Sequence, residues 1–267
     1  GKTTTKELIN SVLSTQYNCY FTKGNLNNQI GLPLSVLEIE EAHEIAVIEM
    51  GASEIGEIEN LCNISEPTSG VITNIGKAHL EGFGSFEGVI KAKTELYTFL
   101  KESNGTTFVN SADKLLVKQS SENIVVTCGI SENSDFNFKV IETFPFITIK
   151  LNDEIIKSNL IGKFQIDNIA TAACIGNFYN ISDKNIKLGI ENYKPKNNRT
   201  EIVETEKNFI ILDAYNANPS SMNSMIDSFA ELNKANKLCI LGEMRELGSY
   251  SEEEHELLVQ KMKTLNI

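Results

Sequence analysis

The chain has 267 residues, 41% hydrophobic and 22% charged, an ordinary globular balance with length for one large domain or two smaller ones. The formal net charge is −12, with acidic and basic residues interspersed, which argues against binding nucleic acid through a basic face. An acidic protein still binds an anionic nucleotide where backbone N–H groups and one or two cations do the work.

The elements alternate from the start. A helix is expected over 3–15, directly after Gly1-Lys2-Thr3-Thr4, and a buried strand over 44–50. A helix over 54–63, a strand over 70–75, a helix over 86–101 capped by Ser85, and a strand over 106–110 follow. This order implies a mostly parallel sheet flanked by helices.

From about 123 to 160 the pattern turns to shorter strands, including 136–141 and 145–151, with a turn at Asn152-Asp153. Helices over 165–178 and 183–192, the latter capped by Ser182, close a first domain spanning 1–196. Lys194-Pro195-Lys196-Asn197-Asn198 reads as a linker. A second, smaller Rossmann-like α/β domain over 197–267 follows. Its strands are expected at 209–213 and 237–242, its helices at 219–233 and 251–265. Both domains are expected to be truncated, the first because the chain opens inside its phosphate loop.

Cys19, Cys62, Cys128, Cys174 and Cys239 are odd in number, widely spaced, and free of any zinc-binding pattern. Cys128, Cys174 and Cys239 sit in apolar runs, so buried reduced thiols and a reducing, cytoplasmic compartment are the expectation. No apolar run approaches the ~20 residues that span a bilayer, so no membrane insertion is expected.

Gly1-Lys2-Thr3-Thr4 before a helix matches the last positions of a G-x-x-x-x-G-K-[ST] phosphate loop. There helix N–H groups and the lysine face phosphates, and the hydroxyl can hold Mg²⁺. Alone, four residues fit a surface loop equally well. Two further features fall at the same predicted sheet edge: Glu49 closing the second strand, and His79 after the strand ending at Ile75. Ligands of open α/β sheets sit at that edge. His43 and His255 read as structural.

The stretches GKTTTKE, NLNNQIGLPLSVL (25–37), EMGASEIGEIENL (49–61), ITNIGKAHLEGFGS (72–85), AKTEL (92–96), DAYNANPSSM (213–222) and LGEMRELG (241–248) resemble the Mur ligases of peptidoglycan synthesis, in the family's order. The resemblance implies a cytoplasmic, ADP-forming amide ligase that uses ATP and two Mg²⁺ sites. Stretches 25–37 and 213–222 favour the branch that joins D-Ala-D-Ala to UDP-MurNAc-tripeptide, acting as a monomer on small-molecule substrates. Another amide ligase of the superfamily, such as a tripeptide-forming member or a folylpolyglutamate synthase, and a P-loop kinase or NTPase are the alternatives.

Carried over residue by residue, the resemblance implies that Gly1, Lys2, Thr3 and Thr4 bind phosphate. Thr3, Glu49, His79 and a carbamylated Lys93 would serve the metal sites. Asn168 would contact adenine, Arg199 the phosphates and Asp213 the ribose. Lys2, His79, Lys93 and Arg199 form the implied catalytic set. Asn25, Asn28, Asn216 and Asn218 are the candidate substrate contacts, with Ser221 a weaker one.

Overall fold

The structure is a computed structural model that describes residues 1–76, 80–196, 198–234, 236–265 and 267, leaving the side chains of Leu80 and Glu81 aside. The first helix, α1 (Lys2–Leu13), buries Leu8, Ile9, Val12 and Leu13 on one face, as their i, i+4 spacing dictates. The strand β1 (Cys19–Phe21) and helix α2 (Gly31–Leu37) follow, both unforeseen in the sequence. β2 (Ile45–Val47) then pairs in parallel with β1.

After β2 the chain forms α3 (Glu57–Ser65), β3 (Ser69–Val71), the short α4 (Leu80–Phe83) and α5 (Phe86–Glu102). Ser85 caps α5 as expected, its hydroxyl accepting from the Gly88 N–H. β4 (Thr106–Asn110), α6 (Lys114–Gln119), β5 (Ile124–Gly129) and β6 (Phe136–Asn137) complete a parallel sheet of order β3-β4-β5-β6.

The single strand expected at 136–141 divides. Phe136 and Asn137 remain in the parallel sheet, while β7 (Lys139–Glu142) enters an antiparallel sheet with β8 (Thr148–Leu151) and β9 (Glu154–Lys157). Buried Phe138 lies at the crossing point.

Helix α7 (Gln165–Phe178) buries nearly every side, and its Ala170, Ala172, Ala173 and Gly176 bring it close to its neighbours. α8 (Asp183–Asn192) is capped by Ser182, as the sequence indicates. α1 packs between α7 and α8, and the glycine positions explain the closeness. A Cβ on Gly189 would lie 2.6 Å from Val12 Cα, and one on Gly176 2.6 Å from Val12 Cγ1. The main core joins α1, α7 and α8 to Phe108 of the parallel sheet and to Ile149, Leu151 and Ile156 of the antiparallel one.

The C-terminal part holds the antiparallel pair β10 (Glu201–Glu204) and β11 (Phe209–Leu212), helix α9 (Pro219–Glu231), a 3₁₀ turn (Gly248–Tyr250) and α10 (Ser251–Leu265). Ile226 and Leu258 meet Met244 and Leu247 in a small separate core.

The strand expected at 237–242 does not form. That segment has no strand assignment, and Leu238 and Ile240 are 77% and 89% exposed. An extended segment becomes a strand only where a neighbour satisfies its backbone, and β10 and β11 pair with each other alone. Among the described residues, no helix is long and apolar enough to cross a membrane.

Candidate functional site

Three segments meet beside the N-terminus of α1: those leaving β2 and β3, strands of two separate parallel sheets, and one from the C-terminal part. The opening turn of α1 has no side-chain cap, so its N–H groups remain available to an anion. Lys2 is exposed at this end, and desolvation by surrounding protein lowers its pKa, partly offset by Glu49.

The first segment brings Glu49, which follows β2 by two residues and is 5% exposed. Its backbone N–H donates to Thr22 Oγ1 at 2.9 Å. Oε1 accepts from Thr3 Oγ1 at 3.2 Å and from Asn27 Nδ2 at 2.8 Å. Oε2 is buried and has no hydrogen-bond donor, although Lys6 Nζ stands 3.6 Å away. Lys6, 4% exposed, gives its short hydrogen bond to Thr22 O at 2.7 Å instead. A buried carboxylate normally fills its acceptor sites, and Glu49 Oε2 is ion-paired with Lys6 without a hydrogen bond, which leaves it acceptor capacity for a second cation.

The second segment is the loop after β3. Lys93 reaches it from α5 and donates to Asn74 O at 2.8 Å. Desolvation, with the Lys2 ammonium adding to it, holds the Lys93 pKa down to about 8. His79 lies outside the described residues. Among the described residues no group of three His, Cys, Asp or Glu side chains converges as a metal site. The hard oxygens of Thr3 and Glu49 nevertheless suit Mg²⁺.

The third segment comes from the C-terminal part. Asp213, just after β11, accepts from Thr200 N at 3.0 Å and Thr200 Oγ1 at 3.3 Å. Burial raises its pKa, against those hydrogen bonds and Arg199. The Arg199 guanidinium lies 3.5 Å above the Tyr215 ring, a cation–π contact. The two parts of the chain thus face each other across the phosphate loop. A Cβ on Gly76 would lie 2.9 Å from Ser220 Oγ at the start of α9.

The remaining sequence candidates stand as follows. Thr4 is buried in the first turn of α1. Asn168 is buried, its amide spent on Thr5 Oγ1 at 2.8 Å and Gln165 Oε1 at 2.5 Å. Asn25 is exposed, and exposed Asn28 accepts from Ile30 N and Gly31 N ahead of α2. Asn216 is exposed and accepts from Ala217 N. Asn218 caps α9 in a capping box with Ser221, so helix initiation already employs both. Asn27, Lys6 and Tyr215 were missed. Asn27 lies inside the quoted 25–37 stretch, but only the fold reveals that its amide, rather than a neighbour's, grips Glu49.

A helix start bearing Gly1-Lys2-Thr3, a strand-end carboxylate and an arginine from the C-terminal part define the class: an α/β protein of the phosphate-loop type. Family models agree: residues 1–176 match the Mur ligase middle domain and residues 198–266 the Mur ligase glutamate ligase domain. The chain belongs to the Mur ligase family.

Among its relatives is the UDP-N-acetylmuramoyl-tripeptide–D-alanyl-D-alanine ligase of Bacillus subtilis, 37% identical over 96% of this chain and 57% of that protein. The Escherichia coli enzyme of the same name is 33% identical, over 100% of this chain and 61% of that protein. Among solved structures, MurF from Acinetobacter baumannii superposes with a TM-score of 0.89 at 30% identity, covering 98% of this chain and 59% of that one. MurF from Thermotoga maritima in complex with ADP gives 0.84 at 30% identity, covering 98% and 62%. The chain thus spans about three fifths of the length of these relatives.

Proposed function

We propose that the protein is an ATP-dependent, ADP-forming ligase that adds D-alanyl-D-alanine to UDP-N-acetylmuramoyl-tripeptide, in the cytoplasm and as a monomer. Residues 1–196 form the ATP-binding unit and 197–267 the part that closes over it. The observation that carries this reading is Glu49 beside the phosphate loop, held by Thr3 and Asn27 through one oxygen and ion-paired with Lys6, without a hydrogen bond, through the other.

The reaction runs in two steps. A carboxylate oxygen of the tripeptide attacks the γ-phosphorus of ATP, and the bond to ADP breaks. The amine of the dipeptide then attacks the acyl carbon, loses a proton, and phosphate leaves with the substrate's oxygen. Mg²⁺ supplies charge neutralisation on the phosphate oxygens.

The chain's own residues position and neutralise. Gly1 to Thr4 cradle phosphate, Lys2 meets its outer oxygens, and Arg199 adds a second cation from the facing unit. Asp213 takes the ribose and Asn168 the adenine. Thr3, Glu49, His79 and Lys93 would hold Mg²⁺ at the two metal sites, while Asn25, Asn28, Asn216 and Asn218 would contact the substrates.

Lys93 fits its part chemically. A neutral amine adds to CO₂, forming an N–C bond and releasing a proton, which turns a cation into a carboxylate-like ligand. Its lowered pKa makes the neutral amine accessible near neutrality.

Oxygen tracing tests the chemistry. Tripeptide labelled with ¹⁸O in its reacting carboxylate gives phosphate carrying one ¹⁸O per turnover. Unlabelled phosphate would mean ATP hydrolysis by water and would defeat the ligase reading.

A further inference from the structure

Helix α3 starts at Gly56, which has φ = 90° and no side chain to cap the helix. The cap comes from another helix. Glu95 of α5 accepts from Gly56 N through Oε1 at 2.7 Å and from Glu59 N through Oε2 at 3.1 Å. Glu59 is the third residue of α3, so one carboxylate takes both donors that a capping box satisfies from within the helix.

The loop tied down in this way is 50–56, the segment leaving Glu49. Its middle is held by Glu57, which accepts from Ser53 N at 2.6 Å and Glu54 N at 3.1 Å, and its start by Gly51 N, which donates to Asn27 O at 2.7 Å. It also abuts α4: a Cβ on Gly82 would lie 2.3 Å from Ser53 O. The helix that reaches across to it, α5, carries Lys93 two residues before Glu95. The backbone after Glu49 and the helix bearing Lys93 are therefore joined by a carboxylate that belongs to neither metal-site residue, beside the apolar packing of Leu96, Phe99 and Met50 against Ile58 and Leu61.

We infer that Glu95 is a positioning residue: by capping α3 in trans it fixes the distance between Lys93 and Glu49. The inference rests on the proposed roles of those two residues. Gln in place of Glu95 keeps one acceptor oxygen and so one of the two bonds, whereas Ala keeps none.

The test compares Glu95→Ala, Glu95→Gln and Lys93→Ala in the intact protein. It measures kcat and KM for ATP, the half-saturating Mg²⁺ concentration, and Mn²⁺ binding with ADP followed by the free-Mn²⁺ EPR signal. Misplacement by about 1 Å costs on the order of 100-fold in rate, so Glu95→Ala loses that much kcat, binds Mn²⁺ more weakly, and keeps its KM for ATP. Glu95→Gln falls between it and the parent.

A folded Glu95→Ala protein with unchanged kcat and Mn²⁺ binding overturns the inference, as does a change confined to thermal stability. If Glu95→Ala does not fold, Glu95→Gln decides: parental kcat and Mn²⁺ binding overturn the inference, and reduced values support it. If neither folds, Glu95 serves the fold and the inference fails. Lys93→Ala separates the two levels: an active variant removes the underlying site reading, whereas an inactive one beside an unaffected Glu95→Ala removes only the role of Glu95.

Discussion

Thr3 Oγ1 donates to Glu49 Oε1 at 3.2 Å across 46 positions of sequence, joining the first turn of α1 to the end of β2. Both side chains are at most 5% exposed as residues, so this contact forms in a low-dielectric setting where displacement is costly. Thr3→Val keeps the shape and removes the donor. In the intact protein it lowers kcat by about 100- to 1000-fold, as loss of a preorganised polar group at a charge-developing site does. Glu49→Gln does the same and weakens Mn²⁺ binding. Steady-state kinetics with a Mn²⁺ titration checks both, and a fully active Thr3→Val would remove this contact from the mechanism.

Lys93 supplies the pH dependence. Its pKa lies below the ordinary lysine value, at about 8, so the neutral amine is depleted as pH falls through about 8 and gained as pH rises. With dissolved ¹³CO₂ held constant, the carbamate carbon signal grows from about pH 7 to about pH 9 and is absent in Lys93→Ala. Lys93→Ala abolishes activity, and small carboxylic acids restore part of it. A Lys93→Ala protein with parental activity contradicts the carbamate.

Arg199 rests on Tyr215 at 3.5 Å. Tyr215→Ala removes the ring and leaves the guanidinium to find its own position. A partly exposed cation–π contact contributes about 0.5–1 kcal/mol, so KM for ATP rises roughly two- to fivefold with a small change in kcat. Arg199→Lys loses more, because an ammonium reproduces neither the stacking nor the two-pronged hydrogen bonding. Equal kinetics for Arg199→Lys and the parent would exclude a phosphate contact.

The buried bond from Thr5 Oγ1 to Asn168 Oδ1, 2.8 Å long, links α1 to α7. Thr5→Val leaves a buried acceptor unpaired and destabilises the fold by about 1–3 kcal/mol, measured by urea denaturation. If Asn168 also serves adenine, Asn168→Ala raises KM for ATP well beyond the effect of Thr5→Val. Equal KM values for the two variants assign Asn168 to packing alone.

Much of the fold was legible where the local signal and the tertiary outcome coincide. Ser85 and Ser182 start helices because their hydroxyls satisfy backbone donors, which is a local fact. β1 escaped because three residues, Cys19 to Phe21, are too few to show a period. The expected 237–242 strand failed for the opposite reason: its apolar run is clear, but a strand needs a neighbour and sequence does not supply one.

The site shows the same division. Lys2, Thr3 and Glu49 carry local signals, a loop before a helix and an acid ending a strand. Asn27, Lys6 and Glu95 meet partners 22, 43 and 39 positions away, distances no window along the chain registers.

The acceptor the enzyme uses separates the D-Ala-D-Ala branch from the others. With MgATP and UDP-MurNAc-tripeptide, ADP release by the intact protein is measured with D-Ala-D-Ala, with meso-diaminopimelate and with L-lysine. ADP is released only when D-Ala-D-Ala is present together with the tripeptide. Sustained turnover with either single diamino acid would contradict it.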